Sequence, residues 1–391
     1  KSNDEELSLT ALYALENIGD EKALETTMKL YEETQSEKIK TRIIFILGDF
    51  DNPQVLTKLA DIARNDPSVS VRRRAVFALG DHDSDEAATA LQGLVRSDND
   101  PEVRKAALYA LGDIGRPEMA GFLKEIALTE KESDLGKAAV YALGDIDDNN
   151  AAAALTEIIE KASNKDVRKA ALYALGDVES SRSAPVLKKI ALSSEDEDMA
   201  KAAVYALGDG EEKEVVALLR DIITNSQFRS VRKAALYAMG DIGSKESAVL
   251  LEEYARKSAD EELAKTAVYA LDDVSDGTEL TRMLLSLIEY TPHRSVKKAA
   301  LYMLADEGGE SAVASLGKIL KTEKDVSLRK AAVYALDDAD SPGAVNLLKR
   351  VIDNDESMEV RKAAIRVLGE IGTPEARKAL VEILETNNNN L

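Results

Sequence analysis

One eleven-residue segment recurs along this chain at a fixed interval. The segment VRKAALYALGD occupies Val103–Asp113, recurs unchanged at Val167–Asp177 and returns with one difference at Val231–Asp241. Its aromatic position recurs every 32 residues, except for one step of 33 between Tyr269 and Tyr302. A fixed period of this length is typical of repeat arrays, in which each unit buries its apolar surface against its neighbours.

Twelve such units account for all 391 residues, so the sequence predicts a single repeat domain over residues 1–391. The terminal units, at about 1–38 and 359–386, depart from the pattern, as expected where an outer surface meets water. The polar residues 387–391 are predicted to be a disordered tail. The aromatic position, which we call the ring row, is occupied by Tyr13, Phe45, Phe77, Tyr109, Tyr141, Tyr173, Tyr205, Tyr237, Tyr269, Tyr302 and Tyr334, and the twelfth unit has Arg366 there.

Each unit predicts two helices. The leading helix, such as Lys137–Asp145, ends at a Gly-Asp pair, a common helix C-terminal signal. The second helix, such as Ala184–Leu192, has apolar residues spaced i, i+3, i+4 and i+7. No segment alternates with period two, so no sheet is expected. The sequence therefore predicts an all-α fold, a right-handed α-solenoid of about twelve 32-residue two-helix repeats.

The leading helix resembles the HEAT-like repeats of bacteria and archaea, a type that also occurs in phycobilisome lyase subunits. The resemblance rests on Val103, Arg104, Ala106, Ala107, Ala110, Leu111, Gly112, Ile114 and Gly115. It implies a superhelix whose leading helices line the concave face, where partners bind. It does not specify a function. HEAT-like di-iron hydroxylases carry His-Glu pairs, and this sequence contains none.

The amino-acid composition argues against several classes of function. The formal net charge of −21 argues against nucleic-acid binding, because phosphates would be repelled. No apolar run is long enough for membrane insertion. Cysteine is absent and the two histidines, His82 and His293, lie far apart in sequence, so we predict no enzyme, no metal site and no cofactor. The lack of cysteine and of an initial Met slightly favours an exported bacterial protein over a trimmed cytoplasmic one.

Helical geometry predicts that the ring row faces away from the core. At about 100° per residue, with Val103 at zero, Leu111 lies at about 80° and Tyr109 at about 240°. Lys105 and Asp113 fall on either side of the ring, at about 200° and 280°. The lysine row is Lys105, Lys137, Lys169, Lys201, Lys233, Lys265, Lys298, Lys330 and Lys362; the carboxylate row is Asp49, Asp81, Asp113, Asp145, Asp177, Asp209, Asp241, Asp273, Asp306 and Asp338, ending in Glu370.

Three interpretations of these rows, together called the outer strip, remain open. The rings could shield the neighbouring repeat while Lys and Asp pair along the array. They could mediate self-assembly within a larger complex. They could also form a ladder that binds an extended protein or peptide, since tyrosine offers a large contact area at low entropic cost.

The sequence predicts a non-enzymatic interaction scaffold that uses this ladder. The alternative is a structural subunit of a larger assembly, or an accessory subunit similar to those of bilin lyases. The predicted partner-binding residues are Tyr109, Tyr141, Tyr173, Tyr205, Tyr237, Tyr269, Tyr302 and Tyr334, with Lys105, Lys137, Lys169, Lys201, Lys233, Asp113, Asp145, Asp177, Asp209 and Asp241.

Overall fold

A computed structural model describes residues 2–18, 21–50, 52–146, 148–178, 180–208, 212–273, 277–337 and 341–388. Within these ranges it contains 24 α-helices, one short 3-10 turn and no strand. The predicted all-α solenoid of two-helix repeats is therefore confirmed, with a leading helix and a second helix alternating along the chain.

Odd-numbered helices are leading helices and even-numbered ones are second helices. The first twelve are α1 (Ser2–Ile18), α2 (Glu21–Glu33), α3 (Glu37–Gly48), α4 (Pro53–Asn65), α5 (Val69–Gly80), α6 (Asp85–Ser97), α7 (Pro101–Ile114), α8 (Ala120–Thr129), α9 (Ser133–Gly144), α10 (Asn149–Lys161), α11 (Lys165–Gly176) and α12 (Ser180–Ser193). The other twelve are α13 (Glu197–Gly208), α14 (Glu212–Asn225), α15 (Arg229–Asp241), α16 (Lys245–Lys257), α17 (Glu261–Tyr269), α18 (Gly277–Tyr290), α19 (Arg294–Asp306), α20 (Gly309–Thr322), α21 (Val326–Ala335), α22 (Pro342–Asn354), α23 (Met358–Ile371) and α24 (Pro374–Asn388).

The helices gather into two compact units, residues 1–187 and 188–391, where the sequence predicts a single domain. In the first unit, leading helix α7 packs between α5 and α9, and second helix α4 packs against α6. In the second unit, α21 packs between α19 and α23, and α20 packs against α22. Each unit is thus two-layered, with leading helices side by side in one layer and second helices in the other.

Short polar side chains set where the helices begin. Ser68 and Asp100 accept hydrogen bonds from the first-turn amides of leading helices α5 and α7. Asn52 and Ser84 do the same for second helices α4 and α6. Such caps satisfy donors that the helix itself cannot pair. At the other end of α7, Gly115 adopts a left-handed conformation with φ of 67°, which closes the helix.

The core is built from small and medium aliphatic side chains. Val103, Ala107 and Leu111 of α7 are fully buried. Gly112 brings α7 and α9 together at the end of the helix, since a Cβ added there would lie 2.8 Å from the Cα of Ala142. Close approach of leading helices therefore depends on glycine and alanine at their contact, as expected for a core that contains few aromatic residues.

Buried ion pairs connect leading helices to loops 26 residues further along the chain. Arg72 Nε lies 2.9 Å from an Asp98 carboxylate oxygen, and Arg329 Nε lies 2.8 Å from Asp355. The same carboxylates accept hydrogen bonds from loop amides, as Asp355 does from Ser357. The acidic loops thus bind arginines and shape turns within the protein.

The C-terminal end differs from its prediction in one respect. Helix α24 continues through Asn388, so residues 387 and 388 of the predicted tail are helical. Residues 389–391 lie outside the described part of the chain.

Candidate interaction strip

The ring row faces outward in both units. The exposed fraction of its tyrosines from Tyr109 to Tyr237 ranges from 36% at Tyr109 to 51% at Tyr205. Tyr269 and Tyr302 are also exposed, and Tyr334 is half-buried. Leu108 and Ala110, on either side of Tyr109 in sequence, are buried, so the predicted angular position of the ring is confirmed.

Three members of the lysine row pair with acids of their own helices, whereas Lys330 Nζ lies 3.0 Å from Glu359 of the next leading helix. Lys105 Nζ lies 2.7 Å from Glu102, Lys137 Nζ lies 2.9 Å from Asp134, and both acids belong to the first turn of the same helix. The hydrogen bond that Lys105 donates to Glu102 is the main reason why the pKa of Lys105 lies above its usual value. Lys265 pairs in the same way with Glu262. These lysines are therefore already neutralised at the edge of the strip.

The carboxylate row has no such partners. Among the described residues, the carboxylates of Asp113, Asp145 and Asp177 form no ion pair or hydrogen bond, although all three are exposed. Lys and Asp do not pair along the array there, which contradicts that part of the packing interpretation. Asp209 lies outside the described residues.

Two acids of the carboxylate row, Asp145 and Asp241, lie in an unfavourable electrostatic environment. Desolvation, followed by repulsion from Asp113 and Asp177, raises the pKa of Asp145 above its usual value. Desolvation and repulsion from Asp273 do the same for Asp241. All of these acids lie at the C-terminal ends of leading helices, where the helix dipole also disfavours negative charge. The negative charges of Asp145 and Asp241 are therefore disfavoured in the folded chain.

An arginine of the chain itself lies on the ring row near its N-terminal end. The Arg42 guanidinium carbon is 3.9 Å from the ring centre of Tyr13 and 4.8 Å from that of Phe45. Its Nη2 pairs with the carboxylate of Glu16, near the C-terminal end of α1. Arg74 lies over Phe45 at 5.2 Å. Sequence analysis missed this arrangement, although its signal was visible, since Arg42 and Arg74 stand three residues before their rings, where later repeats have a small residue.

The two histidines and the described acids do not form a metal site. His82 is buried, and His293 Nε2 lies 2.7 Å from the carbonyl of Ser258. In the described part of the chain no group of three or more His, Asp or Glu side chains is arranged to hold a metal ion. None of the described helices combines the length and apolarity that crossing a membrane requires.

Family comparisons agree with this architecture. A family model described as HEAT repeats matches five overlapping segments, residues 56–143, 134–208, 184–272, 253–337 and 313–391. The chain belongs to the HEAT-repeat family. No curated protein matches it.

Three solved structures are similar to this HEAT-repeat protein, and the likeness to Kap121p supports the fold alone. Kap121p is 13% identical, with a TM-score of 0.50, and the match covers 89% of this chain and 45% of Kap121p. The CpcE–CpcF complex of phycocyanin lyase from Nostoc sp. PCC7120 is 20% identical, with a TM-score of 0.33, covering 61% of this chain and 97% of that one. Human deoxyhypusine hydroxylase is 18% identical, with a TM-score of 0.29, covering 70% and 99%. This chain thus spans less than half of Kap121p.

Proposed function

We propose that this HEAT-repeat protein is a non-enzymatic scaffold that binds an extended protein segment along the outer strip. The observation that carries the proposal is the exposure of the ring row beside Asp113, Asp145 and Asp177, whose carboxylates have no partner among the described residues. Tyrosine is enriched at protein interfaces because its ring contributes a large contact area and has few rotatable bonds.

The carboxylate row favours binding over packing. Negative charges at the C-terminal ends of helices reduce stability, and Asp113, Asp145 and Asp177 form no ion pair or hydrogen bond with a described residue that would offset this cost. A partner that covers the strip and places positive groups beside these carboxylates would offset their cost to stability. Residues that cost stability are often retained where activity requires them.

The scaffold is tested by a pull-down with an extract of the source organism. The bait is either the wild-type protein or a variant with Tyr173→Ala, Tyr205→Ala and Tyr237→Ala. A control variant carries Val249→Ala, Tyr290→Ala and Val381→Ala, which truncates exposed side chains outside the ring row. We expect the ring variant to lose partners that the wild type and the control both retain, with an unchanged helical circular dichroism spectrum.

Two results would contradict the scaffold proposal. If the ring variant recovers the same partners as the wild type, the ring row only packs. If sedimentation shows that the wild type self-associates and that the ring variant is monomeric, the strip binds another copy of the chain, and the protein is a structural subunit.

A further inference from the structure

We infer that the partner presents arginine side chains to the outer strip, each stacked on a ring of the ring row and paired with a nearby carboxylate. This inference rests on the proposed function and specifies the chemistry of its partner. It follows from the N-terminal end of the strip, where the chain places its own arginines, Arg42 and Arg74, over the rings.

Arg42 shows how a guanidinium fits this surface. It stacks on the rings of two successive repeats, Tyr13 and Phe45, and it pairs with Glu16 near the C-terminal end of the leading helix. A cation over a tyrosine ring is stabilised by roughly 0.5–1 kcal/mol at an exposed site, and more when it is desolvated. Ring and carboxylate thus act together on one arginine.

Repeats from Tyr109 onward keep the rings but lack the arginine, and their row carboxylates stand one position further along the leading helix than Glu16 does, where the first repeat has Asn17. The position equivalent to Arg42 is Ala106, Ala138 and Ala170 in the first unit, and these methyl groups are buried. Among the described residues no cation lies over the rings of Tyr109, Tyr141 or Tyr173. In the second unit, Ala234, Thr266, Ala299 and Ala331 occupy the equivalent position. In the three repeats of Tyr109, Tyr141 and Tyr173, a partner arginine would therefore meet a ring that no described cation covers and an acid without a described partner.

The chemistry favours arginine over lysine. A guanidinium is planar, weakly hydrated and able to donate two parallel hydrogen bonds to a carboxylate while it stacks on a ring. An ammonium is a compact and strongly hydrated charge that cannot stack. Lys105 and Lys137 do not oppose a cationic partner, because each is paired with an acid of its own helix.

The distance between successive repeats matches the rise of a partner chain in the polyproline II conformation. Packed helices lie about 8–10 Å apart, which sets the distance between successive rings. A polyproline II chain advances about 9.3 Å per turn of three residues. An arginine at every third residue would therefore meet successive repeats from one side of the partner chain, so the expected motif is Arg-x-x-Arg-x-x-Arg in an extended, proline-containing segment.

Fluorescence anisotropy with synthetic peptides tests the inference. The probe is a labelled peptide of four Arg-Pro-Pro triplets, compared with peptides in which Lys or Glu replaces every Arg. We expect the Arg peptide to bind the wild type, the Lys peptide to bind more weakly, and the Glu peptide not to bind.

Two variants of the first unit locate the bound peptide. Replacing Tyr109, Tyr141 and Tyr173 by Leu is expected to weaken binding by roughly 10- to 150-fold, since each ring contributes about two- to fivefold. Replacing Asp113, Asp145 and Asp177 by Asn is expected to weaken binding about tenfold. A variant with Glu86→Gln, Glu118→Gln and Glu195→Gln has the same net charge as the Asn variant, with the substitutions off the strip, and should bind like the wild type.

The inference is overturned if the Arg and Glu peptides bind equally, or if the Asn variant and its Gln control bind the Arg peptide alike. Its failure is distinguishable from failure of the proposed function. If the wild type does not bind the Arg peptide but the ring variant still loses its natural partners in the pull-down, the scaffold stands and the partner is not arginine-rich.

Discussion

At the scale of single residues, one residue type has opposite effects at two positions of the repeat. Asp355 is buried in a loop and paired with Arg329; burial alone would raise its pKa, but the hydrogen bonds from Arg329 and Ser357 bring it below the usual value. Asp145 has no such partner, and its pKa is raised by desolvation and by repulsion from neighbouring acids. The first acid stabilises the fold, whereas the second destabilises it.

The substitutions Asp145→Asn and Asp355→Asn should therefore shift stability in opposite directions. At pH 7, Asp145→Asn removes an unfavourable charge, and we expect the free energy of unfolding to rise by roughly 0.3–1 kcal/mol. Asp355→Asn leaves Arg329 buried without its partner, and we expect a loss of roughly 3 kcal/mol. Urea denaturation followed by circular dichroism measures both.

The pH dependence of these shifts follows from linkage. The folded-state pKa of Asp145 is raised. The destabilisation by its charge is therefore absent below about pH 4, where the acid is protonated in the folded and the unfolded state. This destabilisation develops as the pH rises through the folded-state pKa. The folded-state pKa of Asp355 is lowered, so its contribution is present above about pH 4 and is lost as pH falls through the folded-state value. A gain from Asp145→Asn that persists at pH 3 would contradict this assignment.

At the scale of helices, the leading helix was predictable because its face is defined by an exact repeat of apolar positions. Its buried residues and its outward ring agree with the structure. The predicted end at Gly-Asp is confirmed in α9, whose C-cap is Asp145, whereas α7 continues through Ile114 and is closed by Gly115. Side-chain partners were less predictable. The sequence could not decide whether Lys105 would reach Asp113 or Glu102, since both lie on the outer face, and the structure selects Glu102, three residues away.

A glycine at the contact between leading helices provides the sharpest test of this packing. Gly112→Ala would place a methyl group 2.8 Å from the Cα of Ala142, and we expect it to cost about 1–3 kcal/mol because the helices must separate. Gly121→Ala in α8 is the matched control, since a methyl there meets no atom within 4 Å. The control should stabilise by about 0.5–1 kcal/mol through helix propensity. Equal urea midpoints for the two variants would show that α7 and α9 are not in close contact at this point.

At the scale of the whole molecule, the period of the sequence was sufficient to predict the class of fold. Each two-helix unit has too little core of its own, so the order of elements and the repeat length leave a stacked array as the solution. The function was harder to predict from the sequence than the fold, because HEAT repeats occur in proteins with many different functions. The decisive features, the stacking of Arg42 on two rings and the unpaired Asp113, Asp145 and Asp177, depend on side-chain positions between repeats, which no spacing rule supplies.

The ring row should face solvent until a partner covers it. Nitration of tyrosine side chains, mapped by mass spectrometry, measures this exposure. Without peptide, we expect modification at Tyr141, Tyr173 and Tyr205, and protection of Tyr31, which is only 7% exposed. With the Arg-Pro-Pro peptide, the ring row should become protected, while Tyr290, 63% exposed and outside the row, stays reactive. Ring-row tyrosines that resist nitration without the peptide would contradict the account, as would ring-row reactivity that saturating peptide leaves unchanged.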